Sequence, residues 1–478
     1  MGKPVPISLG TKSNPSRLSK QASDARLINC YAEPLGDEGK TQWAITAAPG
    51  LANFGTALGD SIRAMLVVGS YLYVVAGFQV FKVDSSGVST SLGGFATSGA
   101  VYMRHGRTIP VQIALVAQGL YYVIQSDVLT QITDSDLPPP TGLGYLDGYG
   151  VLTTTQSRFF LTGLDDFTTI DPLDVAEVQA VPDAIIAVHE LGREVIFFCE
   201  SHTEWWQDTG NADFPLERSQ SVDIGWLSVA ADAIVSFDLP DGSGLVIIGV
   251  CSDHSVRMLR GYGAQVISTP EIENLIRLLD EAGNASQLTA TSWSWGGRNF
   301  YCLSCDGWTR VFNGKDWHER KSYGSDRWRV SKVVNFAGKL IAGDATTGQL
   351  YTMNDDTYDE AGHPLVMEII TPPVHAFPYR GIMNTLYIDA ASGVGLNTTA
   401  PQNLDPTMML DISRDGGDTF AVTREIALGE LGQTAKRLQP ERRLGTFGQK
   451  GVAFRFRISA AVQKLILAAA LDFDKLAA

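Results

Sequence analysis

The tripeptide Arg104-His105-Gly106 is the first place in this chain where side-chain types and spacing indicate a reaction. It follows an apolar run, as in phosphatases that phosphorylate a histidine at the end of their first strand. Such a site also needs a helix directly after the loop, and a second His and Arg to hold the phosphate. Here the run 109–116 contains Pro110 and β-branched residues, which favour a strand over a helix. We therefore predict that His105 is a structural or contact residue.

Two other groups resemble metal sites but lack the full ligand pattern. Cys302 and Cys305 form a single C-x-x-C, and residues three apart on a strand point to opposite faces. Asp411, Asp415 and Asp418 do not follow the alternating acidic positions, central glycine and distal glutamate of a calcium loop. The sequence therefore predicts no metal site and no cofactor, and it places the two cysteines in a strand beside a hairpin.

Two acidic pairs could supply the paired carboxylates of a glycoside hydrolase, namely Asp165-Asp166 and Glu200 with Glu204. No active-site motif accompanies them, and the seven histidines are scattered without an H-x-x-x-H pair. We predict no catalytic residue and no enzyme. A propeller hydrolase is kept as the weakest alternative.

Composition describes a folded chain long enough for two or three domains. Of the 478 residues, 44% are hydrophobic and 19% are charged. The net charge of −15 excludes tight nucleic-acid binding by the chain as a whole. No window approaches the ~18 apolar residues of a membrane span, and the first twenty or so residues have no apolar h-region of a Sec signal. Five scattered cysteines are typical of a reducing cytoplasm.

One device recurs along the chain: an apolar strand, a short polar or glycine turn, and a second, often aromatic strand. It occurs seven times, in 71–83, 113–124, 158–170, 193–207, 244–259, 300–312 and 339–353. The turns are spaced by a mean of roughly 45 residues, which is typical of β-propeller blades of four strands. We therefore predict an all-β chain with a β-propeller of about seven blades. The alternative is an open set of β-sandwiches with similarly spaced hairpins.

The long interval between the fifth and sixth hairpins contains one predicted helix, in 269–283. Thr269 is placed to cap it, and Pro270 suits its first turn. Apolar residues then recur on one face at Ile272, Leu275, Ile276 and Leu279. We predict a single amphipathic helix inserted in the ring, with this face packed on the propeller.

The periodicity changes at both ends of the chain. Residues 1–60 have few regular signals, and we interpret them as an N-terminal arm that closes the ring or contacts neighbours. Residues 61–361 are the predicted propeller. In 362–478 alternating segments and the turn Asp415-Gly416-Gly417-Asp418 predict a separate antiparallel β domain resembling a sandwich.

Several segments together resemble one family, the packaged-DNA stabilisation proteins, which are tail accessory (hub or nozzle) proteins of short-tailed bacteriophages. In chain order these segments are "LINCYAEP", "APGL", "HGRT" at 105–108, "DAIIAV" followed by "GREVIFFCESHTEWWQDTG", "EIENLIR" and "RRLG…VAFRFRIS". The resemblance extends over most of the chain. It identifies "HGRT" as a mark of the family and not of catalysis.

The resemblance implies a structural protein of the virion tail, made in the host cytoplasm during assembly. Such hubs form a homohexameric ring below the portal and its adaptor, close the channel on packaged DNA, and carry the tail plug or needle and the tailspikes or fibres. DNA is expected to pass without sequence-specific binding, and the chain is not expected to insert into a membrane. We predict an acidic or neutral lumen, with Arg442, Arg443, Arg455 and Arg457 in subunit or adaptor contacts. A propeller scaffold outside virions is the alternative.

Overall fold

The computed structural model describes residues 4–16, 18–20, 22–36, 39–178, 180–181, 183–211, 213–436, 438 and 440–476. The contacts divide the chain into two compact units. One comprises Asn53–Asp306 and Arg329–Thr352, and we call it the propeller unit. The other comprises Met1–Ala52, Gly307–Trp328 and Met353–Ala478, and we call it the sandwich unit.

Short strands begin the chain and long series of strands follow. The first six are β1 (Val5–Ile7), β2 (Asn14–Pro15), β3 (Asp24–Ile28), β4 (Cys30–Pro34), β5 (Trp43–Ala47) and β6 (Gly50–Phe54). Five four-stranded antiparallel sheets come next, each built from consecutive strands. Their strands are β7 (Ile62–Val68), β8 (Tyr71–Ala76), β9 (Gln79–Val83), β10 (Ser89–Gly94), β11 (Val101–His105), β12 (Gln112–Ala117), β13 (Leu120–Gln125), β14 (Val128–Ile132), β15 (Pro140–Leu146), β16 (Tyr149–Thr154), β17 (Arg158–Gly163), β18 (Asp166–Glu177), β19 (Ile185–Leu191), β20 (Glu194–Cys199), β21 (Thr203–Asp208), β22 (Leu216–Val222), β23 (Val235–Asp238), β24 (Leu245–Val250), β25 (Val256–Arg260) and β26 (Gly263–Val266).

Two further repeats complete the series. Their strands are β27 (Thr289–Trp295), β28 (Arg298–Cys305), β29 (Trp308–Phe312), β30 (Trp317–Glu319), β31 (Val330–Phe336), β32 (Lys339–Asp344) and β33 (Leu350–Asn354). Within the propeller unit β27 pairs with β28 and β31 pairs with β32, both antiparallel. The first strand of the last repeat, β31, contacts the first strand of the first repeat, β7. The seven repeats therefore close into a ring, and the chain has the β-propeller of about seven blades that the hairpins predict.

The cores of the propeller lie between neighbouring sheets. The middle strands are continuous apolar runs and not alternating ones, because each sheet is covered on both faces. In β12 every residue is buried, and five of the six residues of β20 are buried. One cluster joins the first and second sheets, and another joins the seventh repeat to the first. Closing the ring in this way leaves only short strand edges exposed.

Gly249, on β24, lies where neighbouring elements pack too closely for a larger side chain. A Cβ at this position would lie 2.8 Å from Cζ3 of Trp226 and 2.9 Å from Cγ1 of Ile234, and both of those side chains are buried. We expect Gly249→Ala to lower the free energy of unfolding by about 1–3 kcal/mol, because the ring of Trp226 must move. Equilibrium urea unfolding measures the change. Gly307→Ala is the control, since a Cβ there meets no atom within 4 Å; an equal loss in both variants would contradict the packing argument.

The predicted inserted helix is present as α1 (Pro270–Glu281). The Thr269 side chain accepts a hydrogen bond from the Ile272 amide, and Gly283 follows the helix with a φ of 72°. Ile272 and Ile276 are buried, so the predicted apolar face is the packed one. Among the described residues, no helix is long and apolar enough to cross a membrane.

The sandwich unit consists mainly of two sheets. Its later elements are β34 (Asp359–Glu360), β35 (His363–Pro364), β36 (Met367–Ile370), β37 (Arg380–Ala390), the one-turn helix α2 (Pro401–Leu404), β38 (Thr407–Ser413), β39 (Ala421–Ala427), β40 (Glu441–Phe447), β41 (Ala453–Ile458) and β42 (Leu465–Leu476). In this unit one sheet has the order β29-β30-β3-β36-β41-β38-β39, and the other has the order β4-β5-β42-β37-β40. The sequence does not predict α2, because a single turn is too short to show a helical period.

The N-terminal segment is integrated with the C-terminal strands in the sandwich unit. β1 pairs with β42, β3 pairs with β36, and β5 pairs with β42. Apolar side chains from both chain ends, among them Leu27, Ile45, Leu386 and Phe456, share one buried cluster. The residues that the sequence presents as an arm thus supply strands and core to this unit, while residues 1–3, 17, 21, 37 and 38 of that segment lie outside the described part.

Candidate functional site

His105 is the last residue of β11 and its side chain is exposed. Its Nδ1 lies 3.0 Å from the carbonyl oxygen of Gly106. The chain continues into β12 and not into a helix, as the sequence predicts. The flanking Arg107 donates through Nε to Asp165 Oδ1 at 2.7 Å, which links two neighbouring sheets. These contacts favour a structural or contact role for the motif.

The remaining motif residues are also occupied by structural contacts. Cys302 and Cys305 both lie on β28 and both are buried. Burial would raise the pKa of Asp166, but the hydrogen bonds that its Oδ1 accepts from Thr168 and Gln112 hold that pKa below its usual range. The expected turn at 415–418 lies between β38 and β39, and Asp415 accepts hydrogen bonds from the amide and hydroxyl of Thr419, which directly follows the turn.

The surroundings of Glu204 do not favour a role as a catalytic carboxylate of a glycoside hydrolase. Its side chain is fully buried, whereas Glu200 is exposed. Glu204 Oε1 accepts from the Ala180 amide at 2.8 Å, and Oε2 accepts from Trp206 Nε1 at 2.9 Å. A carboxylate engaged in this way holds neighbouring strands together and has little freedom to protonate a substrate.

A cavity of about 250 Å³ lies among the first strands of several blades, and the sequence did not predict its polar lining. Arg104 Nε donates to Glu190 Oε1 at 2.7 Å, and the same oxygen accepts from the Tyr145 amide. Lys332 Nζ donates to Asp232 Oδ1 at 2.7 Å and lies 3.2 Å from the carbonyl oxygen of Ala290. Each ion pair joins blades that are distant in sequence, so together they cross-link the propeller unit.

Burial and ion pairing act in opposite directions on the pKa values of the two carboxyl groups in these pairs. Burial would raise the pKa of Glu190, but the charge of Arg104 and its hydrogen bond hold that pKa below its usual range. Burial raises the pKa of Asp232, and Lys332 opposes this only in part. Arg104, Asp232 and Lys332 thus line the cavity with their charges paired within the chain, Arg104 with Glu190 and Lys332 with Asp232.

The four arginines selected from the sequence fall into two pairs, all in the sandwich unit. Arg455 Nε and Arg457 Nη2 each lie 2.8 Å from Asp411 Oδ2, whose side chain is 3% exposed. Arg442 and Arg443, on β40, are exposed, and the side chain of neither has an ion pair with another described residue. Contacts of all four with other subunits stay a prediction.

Asp411 should stabilise the sandwich unit because it accepts hydrogen bonds from Arg455 and, at 2.6 Å, from the Thr423 hydroxyl, and forms an ion pair with Arg457. We expect Asp411→Asn to lower the free energy of unfolding by about 2–3 kcal/mol, since two partly buried cations lose their counter-charge. Urea unfolding measures the loss. Asp418→Asn is the control, because its pair with Lys450 is exposed and 3.8 Å long. A loss of the same size in the control would refute the proposed role of Asp411.

Two family models match this chain in order. The model described as "Bacteriophage P22 Gp10, beta-propeller" matches residues 5–358, and "Bacteriophage P22 Gp10, beta-sandwich" matches residues 367–473. The chain belongs to the bacteriophage P22 Gp10 family. The models thus name a propeller and a sandwich, as in the fold described above, although the propeller match includes 5–52 and 307–328, which lie in the sandwich unit. A member of the P22 Gp10 family is a structural protein of the phage tail and hence of the virion.

Other comparisons add no further assignment to this P22 Gp10 family member. No curated protein matches the chain. Among solved structures, a computationally designed protein, Ika8, is similar at a TM-score of 0.37 with 11% identity, over 63% of this chain and 99% of that one. BBS1N in complex with ARL6DN is similar at 0.40 with 10% identity, over 69% and 97%. The extracellular domain of BT4673 from B. thetaiotaomicron is similar at 0.43 with 6% identity, over 82% and 47%.

Proposed function

We propose that this chain is the subunit of a tail hub or nozzle: a homohexameric ring below the portal and adaptor that closes the channel and stabilises packaged DNA. In this proposal the ring also anchors the tail plug or needle and the tailspikes or fibres. The observation that carries it is the pair of family matches, which follow one another over 5–358 and 367–473. The chain acts in the virion after assembly in the host cytoplasm, and not as an enzyme.

The architecture supports a role in rigid assembly. A closed ring of sheets resists deformation because every blade is packed on both sides. Subunits with heterologous side surfaces form closed rings when the rotation between them closes. The domains 1–60, 61–361 and 362–478 stay a proposal. The ends of the two family matches support a change of domain near 358–367, whereas the contacts group 1–52 with the C-terminal strands.

Charge supports a conduit that does not retain DNA. A duplex carries about one negative charge per 1.7 Å, so a wall of arginines would bind it by counterion release. The chain has 37 basic and 52 acidic residues, and in the propeller cavity Arg104 and Lys332 are both paired with carboxylates. An acidic or neutral lumen lets DNA slide, which leaves Arg442 and Arg443 for contacts with a neighbouring subunit or the adaptor.

Negative-stain imaging of the purified chain mixed with the portal–adaptor complex of the same phage tests the proposal. We expect an added sixfold ring below the adaptor. Arg442→Glu with Arg443→Glu should weaken the addition at least tenfold, because two cations of the proposed contact change sign. Arg193→Glu with Arg260→Glu is the matched control, since both arginines are exposed in the propeller unit.

The possible outcomes distinguish the proposal of a ring from the proposal that Arg442 and Arg443 make its contacts. If no ring is added by the parent chain, the hub proposal is wrong and a binding scaffold outside the virion is favoured. If the parent adds a ring and both double variants do so equally well, the ring stands and the contact role of Arg442 and Arg443 is wrong.

A further inference from the structure

Three potential metal ligands meet in the fourth blade, on segments that the sequence separates. Asp183 lies just before β19, Cys199 is the last residue of β20, and His202 directly precedes β21. One ligand atom of each lies within 4.8 Å of those of the other two. The side chain of His202 is fully buried and that of Asp183 is 12% exposed, while Cys199 is fully buried.

Backbone and side-chain contacts hold these three residues in place. The Cys199 amide donates to the carbonyl oxygen of His202 at 3.0 Å, which closes the turn between β20 and β21. The amide and hydroxyl of Ser201 both donate to Asp183 Oδ2 at 2.6 Å. The Trp226 amide donates to the carbonyl oxygen of Cys199 at 3.0 Å. The second oxygen of Asp183 is thereby directed toward His202.

The contact between that oxygen and the imidazole is incomplete. Asp183 Oδ1 and His202 Nδ1 lie 2.9 Å apart, yet neither atom makes a hydrogen bond of acceptable direction. On the opposite side of the ring, Nε2 lies 3.4 Å from Glu204 Oε1. A buried polar atom without a hydrogen-bond partner destabilises the folded state. A cation between Nδ1 and Oδ1 would satisfy both atoms.

We propose that Asp183, Cys199 and His202 bind one zinc ion through Oδ1, Sγ and Nδ1. Thiolate, imidazole and carboxylate together are the donors that zinc prefers. With bonds of about 2.0–2.3 Å, ligands of a tetrahedral zinc ion lie roughly 3.3–3.7 Å apart, so small side-chain rotations suffice. The thiol proton leaves to solvent when the zinc–sulfur bond forms.

The surroundings fit a cation. Asp183 and Glu204 supply two negative charges. Among the described residues, the basic side chain paired with Glu204 is that of Arg218, 3.2 Å away and 43% exposed. Glu204 also occupies the place of the carboxylate that usually accepts from the second nitrogen of a metal-bound histidine. A zinc ion here would tie three segments of one blade together, so its binding energy would stabilise the fold.

Metal content of the full-length protein tests the site directly. We expect about one zinc ion per chain after expression in zinc-supplemented medium and gel filtration, measured by mass spectrometry of the metal. After chelation and reconstitution with cobalt, a thiolate-to-cobalt charge-transfer band should appear. Cys199→Ser and His202→Asn should lose both signals, and Asp183→Asn should weaken zinc binding at least tenfold.

Cys251→Ser is the matched control. Cys251 is a buried thiol at the corresponding turn of the next blade, where its amide donates to the Ser255 carbonyl oxygen at 2.8 Å. The adjacent His254 is engaged with Asp280 at 2.8 Å. The control should keep one zinc ion and the cobalt band. Absence of zinc from the folded parent, or its loss from the control and retention in Cys199→Ser, would overturn the site. If Cys199→Ser does not fold, full zinc affinity in folded Asp183→Asn would overturn it as well.

Discussion

Replacing Arg320 with Met should lower the free energy of unfolding of the sandwich unit by about 3–5 kcal/mol, because it removes the guanidinium that is paired with the buried Glu360 carboxylate. Arg320 and Glu360 are each 1% exposed on the side chain, with Nη2 and Oε1 3.8 Å apart. The guanidinium also donates to the carbonyl oxygen of Pro49 at 3.0 Å and lies 3.8 Å from the ring centre of Trp328. Met keeps much of the volume and none of these polar contacts.

The comparison that isolates the charge is a double-variant cycle. Trp328 Nε1 donates to Glu360 Oε1 at 3.0 Å, so Glu360→Gln keeps an acceptor for it and removes the charge. Combining Arg320→Met with Glu360→Gln should recover part of the loss, on the order of 1–3 kcal/mol, as expected for residues that interact directly. Hydrogen exchange in β30 measures the local opening free energy in each variant.

Arg158→Met is the matched control for this cycle. Arg158 pairs with Glu177 at 2.5 Å, but the two side chains are 52% and 39% exposed. A pair this exposed contributes little because water screens it. If Arg320→Met were as stable as Arg158→Met, the buried pair would not be a main support of the sandwich unit.

The regular features of this fold can be predicted from the sequence because they are local. The hairpin of β20 and β21 shows as an apolar strand, a polar turn and an aromatic strand, and α1 shows as a cap, a proline and a 3.6-residue period. The seven-fold repetition of that hairpin then predicts a propeller, since one hairpin cannot cover both its faces. These signals need no knowledge of distant contacts.

The polar clusters could not be predicted in the same way. Arg320 and Glu360 are forty positions apart in the chain, and Arg104 in the second blade meets Glu190 in the fourth blade, 86 positions later. Asp183, Cys199 and His202 match no metal-binding spacing, because the first comes from a different strand connection. The single usable signal was a cysteine three residues before a histidine at a hairpin turn, and the same chain has a similar arrangement at Cys251 and His254.

The N-terminal segment shows the same limit at the level of topology. β1 and β5 are short and have weak alternation, so the sequence presents them as an arm. Both strands pair with β42, more than four hundred residues later, and the local sequence pattern does not indicate this pairing. Strand pairing at such separation has a large loop-closure entropy and leaves no local mark in the chain.

Acidification should destabilise the sandwich unit through His318. Burial first, and then the charge of Arg320, lower the pKa of His318 to about 3, whereas an unfolded histidine titrates near about 6.5. Between these values the unfolded state binds a proton that the folded state does not. The stability contributed by the neutral ring is therefore fully present above about pH 6.5 and is lost as the pH falls toward about 3.

The expected loss is about 3 kcal/mol between about pH 7 and about pH 4, at roughly 1.4 kcal/mol per pKa unit. Other groups also titrate in this range, so the informative quantity is the difference between the parent and a variant without the imidazole. His318→Gln and His318→Phe differ in polarity, but neither side chain titrates, so both should remove the same part of the pH dependence measured by urea unfolding. If both variants keep the parental slope, folding does not lower the pKa of His318 and the prediction is wrong. Arg320→Met should reduce the part of the acid-induced loss of stability that comes from His318. Without the neighbouring cation, the pKa of His318 in the folded state is lowered less.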